Sequence, residues 1–182
     1  MAQSTDNKTA AAHVVSVNVS PRKGTRKESV SEGRARLVEQ HGVEGDAHAG
    51  SWHRQVSFLA QESIERTREH GLNVAAGDFG ENITTAGIDL SALPLGTRLR
   101  IGTDALVEIS QLGKVCHTRC AIYYLAGDCI FPHEGIFGVV LQGGTVSVGD
   151  PIVVEKLGDG TCSFTPPEAL AEVEQARAAG TL

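Results

Sequence analysis

Alternating apolar and polar positions open the folded part of the chain. His13-Val-Val-Ser-Val-Asn-Val-Ser20 sets Val15, Val17 and Val19 two apart and stops before Pro21, which predicts a strand and a turn. Ser29 to Val38 repeats the alternation more weakly and predicts a second strand pairing nearby. Gly42 to Gly50 is too polar and too rich in glycine for an element and is expected to be a loop. Val56-Ser-Phe-Leu-Ala60 predicts a short buried strand, and Gln61 to His70 a helix ended by Gly71 in the left-handed cap position.

The second half continues in short strands. Phe79 to Thr85 predicts a strand leaving a Gly-Asp turn, and Leu99–Ile101 with Ala105–Ser110 predict a hairpin across Gly102-Thr103-Asp104. Cys116 to Leu125 predicts one or two helical turns. Phe137–Leu141 and Thr145–Val148 flank Gln142-Gly-Gly144 and predict another hairpin, and Pro151–Glu155 a last strand. Beyond Gly158-Asp-Gly160, Pro166 to Ala179 predicts a C-terminal helix with proline in its first turn. Many short strands with few helices predict a mainly β (α+β) fold built on a closed or nearly closed β-barrel with peripheral helices. Residues 1–12 are expected to be a flexible tail, 13–157 the β-barrel domain, and 158–182 a helical extension.

Composition narrows the function. At 182 residues the chain can bury a core without disulfides, and aromatic residues at 4 % leave that core to Val, Ile and Leu. A net charge of −6 disfavours nucleic acid as a partner. Residues 1–60 hold eight Lys/Arg against six Asp/Glu, whereas the rest holds eight against sixteen. The basic run Arg22, Lys23, Arg26, Lys27 is therefore a candidate contact for a small anion, or equally a solvated turn. With no apolar run of about 20 residues and no apolar leader at its start, the protein is expected to be cytoplasmic and to have no membrane partner.

Cysteine placement points to chemistry. Cys116, Cys120 and Cys129 fall within fourteen residues, with Lys114, His117 and Arg119 beside them. Nearby positive charge favours a thiolate, the form that attacks electrophilic sulfur or binds a soft metal. Packing under a loop is the alternative, since free cysteine is often buried. Cys116, Cys120, Cys129, His117 and His133 also offer enough ligands for zinc, although the Cys-x₃-Cys-x₈-Cys spacing lacks the usual tight knuckle. A second cluster, Gly45-Asp-Ala-His-Ala-Gly-Ser-Trp-His-Arg54, supplies His48, His53 and Arg54, and Arg54 is suited to gripping a phosphate. Asn82, following Gly77-Asp-Phe-Gly-Glu, can read a heterocycle edge or simply make a turn.

Taken in order, these segments resemble the MOSC family, named for the C-terminal domain of molybdenum cofactor sulfurase. The resemblance runs from about His13 to Glu155. It rests on Ser20-Pro-Arg-Lys-Gly-Thr25, Gly45-Asp-Ala-His-Ala-Gly50, His53-Arg-Gln-Val-Ser57, Gly77-Asp-Phe-Gly-Glu-Asn82, Cys116 and Gly143-Gly-Thr-Val-Ser-Val-Gly-Asp150. Around the cysteines the chain is most similar to short stand-alone bacterial members. The resemblance implies a β-barrel with a pocket for the molybdenum cofactor (molybdopterin). It also implies that Cys116 either carries persulfide sulfur or ligates molybdenum. Val115 stands where the family usually has proline.

The function expected from this resemblance is molybdenum cofactor binding in its sulfuration, delivery or maturation. Cys116 is the sulfur carrier or metal ligand, and Cys120 and Cys129 are auxiliary thiols. His48, His53, Arg54, Asn82, Lys114, Arg22 and Lys23 are the cofactor-binding candidates. No pyridoxal-phosphate desulfurase domain is expected in this chain, so a sulfur-donating desulfurase or a molybdoenzyme client is the expected partner. One rival is a small molybdoenzyme that reduces N-hydroxylated compounds with an external electron donor. The other is a non-catalytic zinc- or thiol-binding protein.

Overall fold

The computed structural model describes residues 11–117, 123–124 and 129–182. Among the described residues, eleven strands, three α-helices and one 3-10 turn (Leu90–Ala92) follow one another: β1 (His13–Val19), β2 (Glu28–Ser29), β3 (Arg34–Val38), β4 (Gly42–Val43), β5 (Val56–Ala60), α1 (Gln61–Glu69), β6 (Ile83–Ala86), β7 (Arg98–Ile101), β8 (Ala105–Leu112), α2 (Phe131–Glu134), β9 (Ile136–Gln142), β10 (Gly144–Ser147), β11 (Ile152–Lys156) and α3 (Pro167–Ala178). One sheet has eight strands in the order β11-β7-β8-β9-β5-β6-β1-β2, and the other has three, β10-β3-β4. All pairings are antiparallel except β5 with β6, which α1 connects.

The mainly β architecture follows the sequence pattern, but closure does not. Among the described residues the large sheet ends at β11 and β2 rather than closing as a ladder. One bridge, His13 to Pro151, and three backbone bonds, Val14 N–H to the Asp150 carbonyl at 2.9 Å, Ile152 N–H to the Ala12 carbonyl at 2.9 Å and Gly149 N–H to the Val14 carbonyl at 2.8 Å, join β1 to the chain entering β11. The predicted hairpin across Gln142-Gly-Gly144 is also corrected. Strand β9 pairs with β8 and β5, whereas β10 pairs with β3 in the other sheet. Gly143 makes this crossing possible, since a Cβ there would lie 2.8 Å from the Leu37 carbonyl oxygen. Smaller differences are that the predicted Phe79–Thr85 strand begins only at Ile83, and that the loop expected over 42–50 contains β4. Most of the helix predicted over 116–125 lies outside the described residues.

Side-chain alternation on β5 divides the interior. Val56 and Phe58 face the main core with Val14, Ile83, Val107 and Ile109, whereas Leu59 joins a second cluster of Ile64, Val74, Phe79, Phe131 and Phe137. Burying each such side chain contributes about 1.5–3 kcal/mol. Past β11 the chain turns back along β8. Cys162 Sγ meets Glu108 at 3.4 Å, the Thr165 hydroxyl donates to the Ser110 carbonyl at 2.6 Å, and Arg177 donates to the Leu112 carbonyl at 3.0 Å. These contacts bring α3 to the segment that carries Cys116.

Candidate functional site

A cleft of about 230 Å³ opens beside Cys116, with Phe131 and Phe137 of the second cluster in its wall. Ser57 reaches it from β5, and Lys27, His48, Arg54, Lys114 and His117 reach it from loops. Among the described residues every ionisable side chain lining it is lysine, arginine, histidine or cysteine. Arg54 and Lys114 thus put positive charge on the cleft wall of a protein of net charge −6, whereas the charge of Lys27 is matched by Asp46.

Lys27 is fixed from both ends. Its Nζ bonds Asp46 Oδ1 at 2.8 Å, and both side chains are almost wholly buried. Its backbone N–H donates to the Gly77 carbonyl at 2.9 Å. Asp46 also accepts the Ser20 and His48 N–H groups at 3.0 Å each, which ties the end of β1 to the Gly45–Gly50 loop. His48 Nδ1 stands 3.5 Å from Asp46 Oδ1, too far for a strong hydrogen bond, so Lys27 is the closer partner. Burial alone raises the Asp46 pKa, but His48, Lys27 and the Ser20 N–H outweigh it and hold the carboxyl well below the usual carboxylate range. Burial pushes the Lys27 pKa down despite Asp46. Close by, Glu81 is fully buried and accepts the Gly77 N–H at 2.6 Å and the Thr84 hydroxyl at 3.0 Å, with its Oε2 unpartnered. Burial raises its pKa to about 6 against those donors.

Arg54 lies against two aromatic faces, its guanidinium carbon 4.8 Å from the Trp52 centroid and 5.6 Å from that of Phe137. The Trp52 indole N–H is anchored on the His48 carbonyl at 2.8 Å. Arg54 Nε and His48 Nδ1 are buried without a hydrogen-bond partner. Such groups are costly unless something accepts from or donates to them. The neighbouring His53 does not line the cleft. Its Nε2 bonds Gln111 Oε1 at 2.8 Å, and the Gln111 amide donates to the Gly113 carbonyl at 2.7 Å, so His53 steadies the turn leading to Cys116. Burial lowers its pKa more than Gln111 restores it.

The cysteine segment is tied down by backbone bonds from Gly113 N–H to the Gly135 carbonyl at 2.8 Å and from Lys114 N–H to the Pro132 carbonyl at 2.9 Å. Lys114 Nζ sits 5.1 Å from the Phe131 centroid. Cys116 itself is exposed. A second hollow of about 410 Å³ shares Lys114, Val115, Cys116 and Phe131 with the cleft and adds Phe79, Tyr123 and Cys129. Cys120 lies outside the described residues. Among the described residues no group of three His, Cys, Asp or Glu side chains gathers as a metal site. A larger hollow of about 600 Å³ beside α1 has no thiol in its lining. Its carboxylates are already engaged: Glu62 by the Gly87 N–H, Glu134 by Arg66, and Asp89 by the Ser91 N–H.

Of the residues expected from sequence, His48, Arg54, Asn82, Lys114 and Cys116 line the cleft. Asn82 does so with its polar atoms already used: Oδ1 accepts the Ser57 hydroxyl at 3.0 Å, and Nδ2 donates to the Asn18 carbonyl at 3.2 Å. Arg22 and Lys23 sit on an exposed turn outside the cleft wall, and Lys27 from the same basic run takes the inner position. Trp52, Ser57, Phe131 and Phe137 were not singled out from sequence. Trp52 carried a signal, as the lone tryptophan two residues from Arg54.

The MOSC domain profile matches residues 45–153, more than half of the chain. The chain belongs to the MOSC domain family. Solved structures agree on the fold. YiiM from Geobacillus stearothermophilus superposes with TM-score 0.64 at 24 % identity, covering 92 % of this chain and 87 % of that one. YiiM from Escherichia coli gives 0.61 at 21 %, covering 92 % and 94 %. The YuaD protein from Bacillus subtilis gives 0.66 at 18 %, covering 78 % and 94 %. A search of curated proteins finds no match. No helix among the described residues is long and apolar enough to cross a membrane.

Proposed function

We propose that this MOSC protein binds the molybdenum cofactor in the cleft beside Cys116 and takes part in its sulfuration, delivery or maturation. The carrying observation is that the cleft lining holds lysine, arginine and histidine but no carboxylate among the described residues, set directly against a cysteine. The residues fit the group: an anionic phosphate suits Lys114 and the unpartnered Arg54 Nε, and a soft metal or sulfane sulfur suits the sulfur of Cys116. When bound, the cofactor supplies a redox-active metal held by sulfur. The protein's own part is to bind the phosphate, lay the ligand against Phe131 and Phe137, and present Cys116. Sulfur comes from an external desulfurase, and a molybdoenzyme is the client.

A second reading, reduction of N-hydroxylated compounds with an external electron donor, is favoured by the adjoining hollow. Its aromatic walls of Phe79, Tyr123 and Phe131 leave room for a small planar substrate next to Cys116.

Metal and pterin analysis of protein made in a cofactor-competent host tests the proposal. Pterin with molybdenum is expected in the wild type and in Cys162→Ser, and loss of molybdenum in Cys116→Ser. Zinc without pterin sinks it. Reduction of a hydroxylamine by the loaded protein with a chemical electron donor selects the second reading.

A further inference from the structure

Helix α3 lies outside the span matched by the family profile, yet its Glu172 meets a residue of the cleft wall. Glu168 and Glu172 are four apart and share a helix face. Glu172 Oε1 meets His117 Nε2 at 2.9 Å, and His117 lines the cleft beside Cys116. The same carboxylate acts electrostatically on Arg54, and Glu168 acts on His53. Arg177 anchors the helix on the Leu112 carbonyl at the end of β8. Among the described residues, then, the cationic cleft has no acidic lining of its own, and α3 brings negative charge to it from outside.

The His117–Glu172 pair is exposed, at 74 % and 45 %, so it adds little to folding stability. Its field still acts over the roughly 8 Å that charges reach at physiological ionic strength. We propose that Glu172 is a specificity-determining residue of the cleft, limiting how much negative charge is accepted next to Cys116. A ligand bringing one anionic group is tolerated, and a more highly charged one is opposed. This inference rests on the reading that the cleft takes an anionic ligand, but its test needs no cofactor.

Two alkylating reagents of similar size and different charge, iodoacetate and iodoacetamide, report the potential at Cys116. Both consume the same thiolate. Their rate ratio therefore cancels changes in thiol pKa and exposure, and retains the charge felt by the incoming reagent. Rates are read at Cys116 by peptide mass spectrometry in the full chain. Glu172→Gln keeps a partner for His117 and removes the charge. It is expected to raise the iodoacetate-to-iodoacetamide ratio about two- to fivefold at low salt, with the rise fading as salt is added. Glu174→Gln, on an exposed position of the same helix, makes the same change in net charge and is expected to leave the ratio unchanged. An unchanged ratio in Glu172→Gln overturns the proposal. So does an equal rise in Glu174→Gln, which reduces the effect to net charge. A protein that fails to take up pterin but shows the expected ratios loses the cofactor reading and keeps the role of Glu172.

Discussion

Lys27, on the inner wall of the cleft, forms an ion pair at 2.8 Å with Asp46 behind it, their side chains only 2 % and 1 % exposed. Breaking such a pair from one side leaves an uncompensated buried charge, which costs about 3–5 kcal/mol. Lys27→Met is therefore expected to lower stability by that much at pH 7. The sign with pH follows from Asp46, whose folded pKa is depressed. A depressed carboxyl stabilises the fold above its unfolded pKa of about 3.9 and loses that contribution as pH falls through and below it. Urea unfolding at pH 7 and pH 3.5 is expected to show the gap between wild type and Lys27→Met narrowing in acid. An equal gap at both pH values removes the ion pair as its cause.

Glu81 gives the opposite slope. Its pKa is raised by burial to about 6, so its contribution is fully present below the unfolded value and is lost as pH rises through 6. A shift of this size corresponds to roughly 2 kcal/mol at neutral pH. Glu81→Gln removes the titration while keeping an acceptor for the Gly77 N–H. Relative to wild type, it is expected to gain about 2 kcal/mol between pH 4 and pH 8. A flat difference across that range would mean the carboxyl titrates normally.

The fold was legible where alternation was local and uninterrupted. Strands β1 and β5, helix α1 and the β7–β8 hairpin stand where the pattern puts them. The pattern failed at β9 and β10, because a glycine pair between two strands signals a tight turn and cannot say that the chain is changing sheets. In the site, composition marked a basic run at 22–27 but could not rank its members. Lys27 is selected by Asp46, nineteen residues away. His53 and Arg54 are adjacent in a loop with no periodicity, so nothing local told which would face the cleft and which would meet Gln111 on β8. Glu172 was beyond sequence reading altogether, since its helix is brought to His117 by contacts along β8.

Gly77 couples backbone to site. It has φ +87°, and a Cβ there would stand 2.3 Å from the Lys27 carbonyl oxygen. Gly77→Ala incurs left-handed strain and pushes on the segment that holds Lys27 against Asp46. A loss of more than about 2 kcal/mol is expected, roughly a 5 °C or larger fall in Tm for a chain of this size. A melting temperature within about a degree of wild type would show that the Lys27 backbone yields freely.

Arg54 is where the cofactor proposal is most open to test. Its guanidinium carbon lies over the rings of Trp52 and Phe137, and its Nε is buried without a partner. A phosphate oxygen is the kind of acceptor this arrangement lacks. Charge-assisted hydrogen bonds contribute about 1.5–3 kcal/mol each, so Arg54→Ala is expected to weaken pterin binding about tenfold or more. Arg54→Lys keeps the charge but loses the planar fork and its stacking, and is expected to fall between the two. Salt dependence separates charge from geometry. It should flatten in Arg54→Ala, where one screened attraction is gone, and persist in Arg54→Lys. Alkylation of Cys116 by neutral iodoacetamide is expected to stay near the wild-type rate in both, because neither change removes the thiol or its backbone anchors. Titration of the pterin into the three proteins at two ionic strengths measures all of this. Equal affinity and equal salt response in Arg54→Ala would place the ligand's charge elsewhere and leave Arg54 as a packing residue between Trp52 and Phe137.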